Sequence, residues 1–322
     1  MARFRDNLAM HDYGIDPTDE GRHEHGEEQF WNESYYMDFH RDDGTLGGYV
    51  RFGFYPALGV TWYWACVVGE GRPLVMLVDH EVPIPAAPSL DVAHRSLRAT
   101  HRIEAPCQRL RVELEASAQA YEDPARVYHP SHDPPADGTR DLELNLVWET
   151  DGPGGYQFAQ LTRYEIPCRV SGQIRIGDES IDFVGHGQRD HSWGARDWWA
   201  NAWCWNAGRL EDGTRIHSVS ARTVDGQPIP FAAGYVQAPG KSLVPIESNF
   251  AEEEVGDEGL PTSGRIGVGE MELSVTPRYF APVLLEDPNG RLSRFPRCLA
   301  RYRADDGREG FGWIEWNQPQ LG

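Results

Sequence analysis

Apolar and polar positions alternate along most of this chain. The stretches "GGYVRFGFYP", "GVTWYWACVVGEG", "PLVMLVDHEVPIP", "RLRVELEASAQAYE" and "DLELNLVWET" mix β-branched and aromatic residues with a period of two, which predicts β-strands. Asp-Gly pairs starting at Asp43, Asp137, Asp151, Asp212, Asp225 and Asp306, with Asn289-Gly290, predict the tight turns between them. Helical periodicity is scarce. Only "SLDVAHRSLRATHRIEA" (89–105) fits one short helix, and it fits strand and turn equally well. Strands joined by short turns, without helical crossovers, predict an all-β fold of antiparallel sandwiches or barrels. The segments 127–140, rich in Pro, Asp and His, and 247–265, acidic and Gly-containing, read as solvated loops. A boundary near 165 divides the chain into two β units, 1–165 and 166–322, with no sequence repeat between them.

Composition narrows the function classes. A chain of 322 residues that is 40% hydrophobic folds around a sizeable core. Its formal charge of −20 argues against nucleic-acid binding, which needs clustered Lys and Arg. Lys241 is the only lysine, so positive charge is almost all arginine, the residue suited to fixed, paired roles. The five scattered cysteines, with no C-x-x-C, predict small core residues rather than disulfides and fit a reducing cytoplasm. The start of the chain lacks the apolar run of a signal peptide, and no stretch reaches the roughly 20 apolar residues of a membrane span.

One segment stands apart. "GHGQRDHSWGARDWW" (185–199) packs two His, two Asp, two Arg and three Trp between glycines. Charged groups are expensive to bury unless paired, so it is either chemical or a charge lattice of Arg189, Asp190, Arg196 and Asp197 where two sheets meet. If it is extended, His191 and Trp193 share one face while Asp190 and Ser192 share the other. The expectation placed on that parity is that His191 faces a pocket. In the strand that follows, Trp199, Trp203 and Trp205 fall on one face, and Trp62 and Trp64 form a second same-face pair. No phosphate loop, dinucleotide fingerprint or G-x-S-x-G elbow occurs. His23 and His25, in "RHEHGEE", lack the carboxylate spacing of a cupin metal site and read as a solvated loop. No cysteine or fixed carboxylate spacing in the sequence accompanies His129 and His132, so no metal is expected there.

The segment 185–199, with its Trp-rich strand and "EDGTR" hairpin, resembles the D-H-x-W-G signature of the carotenoid 1,2-hydratase and AttH-like superfamily, which includes tocopherol-cyclase-like proteins and fungal pericyclases. "NESYYMDFHRDDGTLGGYVRFGFYP" resembles the start of its bacterial branch. The resemblance spans residues 28–316 and is specific only in 185–199. It implies two lipocalin-like, calycin-type β units packed together, with a deep apolar pocket near their junction. It further implies hydration, cyclisation or isomerisation of a large hydrophobic substrate without a redox cofactor. The signature falls on Asp190, His191 and Trp193. The hydratases are expected to place further acidic groups on the next strands, whereas "RIHSVSAR" supplies His217 and no carboxylate. General acid–base chemistry is therefore implied more firmly than water addition.

Chemistry on its own terms gives the same roles. Asp190, His191 and His217 are candidate proton donors or acceptors, because burial tunes such groups. Trp64, Trp193, Trp203 and Trp205 are candidate walls for a hydrophobic ligand or a developing cation, and Arg196 and Asp197 orient that shell. The leading expectation is a cofactor-independent lyase, isomerase or cyclase acting on a terpenoid-, steroid- or polyketide-like molecule. The alternatives are a non-catalytic lipocalin-like carrier, with an apolar cavity and these residues paired outside it, and a cupin-type oxygenase built on His23 and His25.

Overall fold

The computed structural model describes residues 14–129 and 136–320; the start of the chain and His132 lie outside the described residues. Period-two stretches become strands and the Asp-Gly pairs become turns. At the first turn Asp43 Oδ1 accepts from Thr45 N at 3.0 Å, and Gly44 takes the positive φ of +66° that closes it.

The first sheet holds β1 (Trp31–His40), β2 (Leu46–Tyr55), β3 (Val60–Gly69), β4 (Leu74–Pro83), β5 (Val92–His94), β6 (Leu97–Ala105), β7 (Arg109–Tyr121), β8 (Thr139–Thr150), β9 (Tyr156–Gln157), β10 (Arg163–Ile176) and β11 (Glu179–Ala195). Its order is β4-β3-β2-β1-β11-β10-β8-β7-β6-β5, and a further β4–β7 pairing closes it into a ring. The second sheet holds β12 (Asn201–Leu210), β13 (Arg215–Thr223), β14 (Pro228–Gln237), β15 (Val244–Pro245), β16 (Asn249–Val255), β17 (Pro261–Val268), β18 (Met271–Phe280), β19 (Val283–Glu286), β20 (Leu292–Phe295), β21 (Arg297–Ala304) and β22 (Glu309–Pro319). It is an open half-barrel running β15-β14-β13-β12-β22-β21-β18-β17-β16, with β19 and β20 attached through β22. All recorded pairings are antiparallel, as an all-β reading requires. No helix among the described residues is long and apolar enough to cross a membrane.

One open choice is resolved and one expectation needs revision. Residues 89–105 form β5, a turn at Arg95 and β6, because Leu97, Ala99 and His101 alternate inward at the strand period. The acidic segment 247–265 is not a loop: β16 and β17 form a hairpin, with Glu252 opposite Arg265 on a charged edge strand. Sheet membership changes between Ala195 and Asn201, and the motif strand β11 belongs to the first sheet.

Two cores decide where a ligand can go. Tyr35, Met37, Phe39, Phe52, Trp148 and Phe183 fill the ring, so the barrel interior is packed. A second cluster, with Tyr36, Tyr49, Trp64, Trp205 and Trp313, lies between the ring's outer face and the second sheet. Both faces of β1 and β2 are therefore covered, and every residue of both strands is buried. Trp313 Nε1 donates to Phe39 O at 3.1 Å and Tyr49 Oη to Ala281 O at 3.0 Å, stitching the sheets together. All five cysteines are buried and free.

Candidate functional site

β11 sits in the ring wall between β1 and β10, with one face toward the barrel interior and the other toward the second sheet. Its glycines serve that placement: a Cβ at Gly185 or Gly187 would overlap the carbonyls of His40 and Asp38 on β1. On the outer face, Asp190 and Ser192 line a cleft of about 620 Å³ between the two sheets. The ring contributes Ser34, Tyr36, Arg51, Trp64 and Arg163, and the connection after β11 contributes Arg196, Asp197 and Trp198. The second sheet adds Trp203, Trp205, Val219, Ala221, Ile229 and Glu315, with Trp193 near Leu161 and Thr162.

Asp190 is buried, and its Oδ2 accepts from Arg163 Nη2 at 2.7 Å. Among the described residues Oδ1 accepts no hydrogen bond, so one carboxylate oxygen is uncommitted. Arg163 is shared with Glu165, which lies behind the cleft wall. Glu165 Oε1 takes Arg163 Nε at 2.8 Å and Trp205 Nε1 at 3.0 Å, and Oε2 takes Gln188 Nε2 at 2.9 Å. Two buried carboxylates share one guanidinium, and Glu165 has the richer set of donors. Burial pushes Asp190 up to about 7; Arg163 opposes it, while Glu165 and Glu315 add to it.

The cleft is also cationic. Arg51, Arg163, Arg196 and Arg297 line it, against Asp190, Asp197 and Glu315. Arg297 pairs with Glu315, and Asp197 pairs with Arg291. Arg51 and Arg196 form no ion pair among the described residues. Arg51 donates from Nε to Ser34 Oγ at 3.1 Å and from Nη2 to Tyr55 Oη at 3.0 Å, while Arg196 Nη1 donates to Ser192 Oγ at 2.7 Å. Burial pulls Arg196 down to about 10, with Arg163 adding to the effect. The Trp64 ring already carries Arg51 at 4.5 Å and Arg297 at 5.8 Å.

Of the residues singled out from sequence, Asp190, Trp193, Arg196, Trp64, Trp203 and Trp205 meet in this cleft, while His191 and His217 do not line it. His191 points into the barrel, where its ring stacks on Tyr35 at 3.9 Å. Its Nδ1 donates to Asp19 O at 2.7 Å, which corrects the expectation that the His191 face sees the pocket. His217 is wholly buried behind Glu165; its Nδ1 donates to Asn206 O at 2.8 Å and its Nε2 lies 3.6 Å from Glu165 Oε1 without a hydrogen bond. Burial, helped by Arg163, pulls His217 down to about 3 and keeps it neutral. The alternative, a charge lattice within 185–199, does not form: Arg189 pairs with Glu20, Asp190 with Arg163 and Asp197 with Arg291. The carboxylates missing from the strand after the motif come from β10 and β22 as Glu165 and Glu315. Arg51, Arg163, Arg297 and both glutamates escaped sequence reasoning, because each is one charged residue in a long strand. The one available hint was a charged residue among aromatics, as at Arg51 in "YVRFGFY".

His23 is not a solvated loop residue. With Glu33 and His191 it forms, among the described residues, the one group of three side chains able to share a metal ion, with donor atoms within 4.8 Å of one another. Two imidazoles and a carboxylate suit a divalent transition metal. Here both rings rest on one oxygen: His23 Nδ1 lies 2.8 Å and His191 Nε2 3.2 Å from Glu33 Oε1, a proton-sharing arrangement. His25 stands apart, exposed, against Gly26 O.

The comparisons with known proteins agree with this architecture. No curated protein sequence matches the chain. Among solved structures, a protein assigned as an AttH (NE1406) from Nitrosomonas europaea superposes with a TM-score of 0.59 at 18% identity, covering 99% of both chains. Kievitone hydratase from Nectria haematococca gives 0.58 at 12% identity over 90% of this chain and 89% of its own. CghA gives 0.55 at 11% identity over 91% and 90%. At these identities the likeness is one of fold. The family model of DUF7064, a domain of unknown function, matches residues 16–320, and the chain belongs to that family.

Proposed function

We propose that the protein is an acid–base lyase or isomerase that moves a proton on a hydrophobic, ring-bearing terpenoid- or polyketide-like molecule held in the inter-sheet cleft, with Asp190 as the proton carrier. One observation carries this reading: Asp190 combines a value near neutrality with an uncommitted oxygen in a tryptophan-walled cleft. A kievitone hydratase among the proteins of like fold supports it.

The charge around the cleft selects the kind of intermediate. Carbocations gain from open aromatic faces, but Trp64 already carries two guanidinium groups and four arginines surround the cavity. An anionic intermediate is favoured instead. Ionised Asp190 removes a proton beside a carbonyl, and the electron pair moves to the carbonyl oxygen, where the arginines stabilise the enolate. Where a β,γ double bond extends it to a dienolate, the proton carried by Asp190 returns at the γ-carbon and the double bond moves into conjugation, which is isomerisation. Alternatively Asp190 delivers the proton to a β-hydroxyl that departs as water, which is dehydration. A carrier of lipocalin type would use the barrel lumen, which side chains fill here.

The test compares wild type with Asp190→Asn on a panel of hydrophobic β-hydroxyketones and cyclic enones in D2O, read by mass spectrometry. Wild type should introduce deuterium or change the mass by one water, and the variant should lose about 100-fold or more of the rate. Where Asp190 acts as base, the wild-type rate falls as pH drops through about 7, and in the reverse direction it falls as pH rises through the same value. Undiminished turnover in Asp190→Asn overturns the assignment.

A further inference from the structure

The fully buried side-chain atoms that lack a partner around the cleft are donors. Among its lining side chains, the buried atoms without a hydrogen-bond partner are Arg51 Nη1, Arg297 Nε and Nη1, Trp198 Nε1 and Tyr36 Oη. All carry N–H or O–H groups, and the uncommitted acceptor among the cleft's carboxylates is Oδ1 of Asp190, the proton carrier. A buried donor without an acceptor is costly, so a wall rich in such donors favours a molecule that brings acceptors.

Two of the arginines are built for that task. Ser34 and Ser192 are direct cross-strand partners on β1 and β11, and facing side chains in such a pair start only about 5 Å apart. Arg51 is tied to the first serine and Arg196 to the second, so the two guanidinium groups flank one spot on the cleft wall. Arg51 is only 2% exposed, and Tyr55, Trp64 and Trp198 hold it in place. The backbone makes room for it: a Cβ at Gly53 would stand 2.6 Å from Arg51 Nη2. Neither guanidinium is ion-paired with a carboxylate among the described residues, and Asp190 acts on Arg196 only through space, without a hydrogen bond. Burying a fixed cation without a counter-charge is unfavourable unless a ligand supplies one.

We infer that Arg51 and Arg196 form a carboxylate subsite, so that the substrate of the proposed reaction is an amphiphile with an ionised carboxylate at one end. Its ring system lies against Trp203 and Trp205 and its carboxylate on the guanidinium pair, which fixes the reacting carbon beside Asp190. Guanidinium forks match a carboxylate bidentately, which a single point charge cannot do. The inference rests on the cleft reading but is tested without turnover.

The probes are 1-pyrenebutyrate and 1-pyrenebutyramide, which share an aromatic body and differ in charge, with affinity read by fluorescence anisotropy. The formal charge of −20 repels anions globally, so a preference for the acid has to arise locally. Wild type should bind the acid at least about tenfold more tightly than the amide. Arg196→Gln, at a half-buried position with one side-chain hydrogen bond, should erase that preference while leaving the amide within about twofold. Arg51→Lys keeps the buried charge and should lower the preference severalfold by removing the fork. Ala221→Trp, which fills the cleft, should abolish binding of both probes, and melting curves confirm that each variant is folded. Equal affinity for acid and amide, no binding of either, or a preference that survives Arg196→Gln overturns the subsite. Asp190→Asn separates the two ideas: it removes the proton carrier but should keep or strengthen the acid preference. If the preference is intact while turnover is undiminished in that variant, the subsite stands and the catalytic assignment falls.

Discussion

Asp190 and His191 are neighbours in sequence and occupy different environments, because a strand sends adjacent side chains to opposite faces. Asp190 enters a charged, partly open cleft, where burial and nearby carboxylates raise it to about 7. His191 enters a packed barrel mouth, held between Asp19 O, Glu33 and the Tyr35 ring. The residue difference predicts different phenotypes. His191→Asn loses the ring stack and a buried hydrogen-bond network, so chemical denaturation should show a loss of about 2–3 kcal/mol. Its rate constant per folded molecule should stay within a few-fold of wild type. A loss as large as that of Asp190→Asn would move His191 into the chemistry.

At the scale of elements, the segment 16–28 caps the barrel mouth through Asp19, Glu20, Arg22 and His23, and the His23–Glu33 contact joins two groups that titrate. His23 is raised: burial works against its charge, but Glu33 and Asp19 outweigh it. Glu33 is lowered: burial opposes ionisation, and the hydrogen bonds of His191 and His23 outweigh that. The raised His23 contributes fully below its ordinary 6.5 and loses its contribution as pH rises through its folded value. The lowered Glu33 contributes above its ordinary 4.5 and loses its contribution as pH falls. The cap should therefore hold best between those two ordinary values. Hydrogen exchange of residues 16–25, corrected for intrinsic rate, should show greatest protection in that window and less on either side. Protection that is flat with pH would separate the cap from these two groups.

At the scale of the whole molecule, neither sheet is complete alone. The ring's outer face carries Tyr36, Tyr49 and Trp64, which pack on Trp205, Trp313 and Phe295 of the second sheet. A fragment ending at Ala195 would expose that surface and should aggregate, whereas the full chain should unfold in one calorimetric transition. Two resolved transitions, or a soluble folded fragment, would show that the ring stands by itself. The functional consequence is that the cleft exists only as a joint product of the two sheets.

By itself the sequence determined the strands, the all-β class and the stretch 185–199 on which the cleft is centred, because period-two alternation and Asp-Gly turns are local signals. It also brought Trp64, Trp203, Trp205 and Arg196 to notice, since bulky aromatics and charges stand out one residue at a time. Tertiary structure alone decided which face of β11 lines the cleft. Alternation marks inside and outside only when one face meets water, and β1 is covered on both sides throughout while β11 is so from Gly187 to Ser192. It also decided the partners of Asp190. Arg163, Glu165, Glu315 and Arg51 come from strands far apart in the chain, and their charges acquire meaning only where the ring and the second sheet meet.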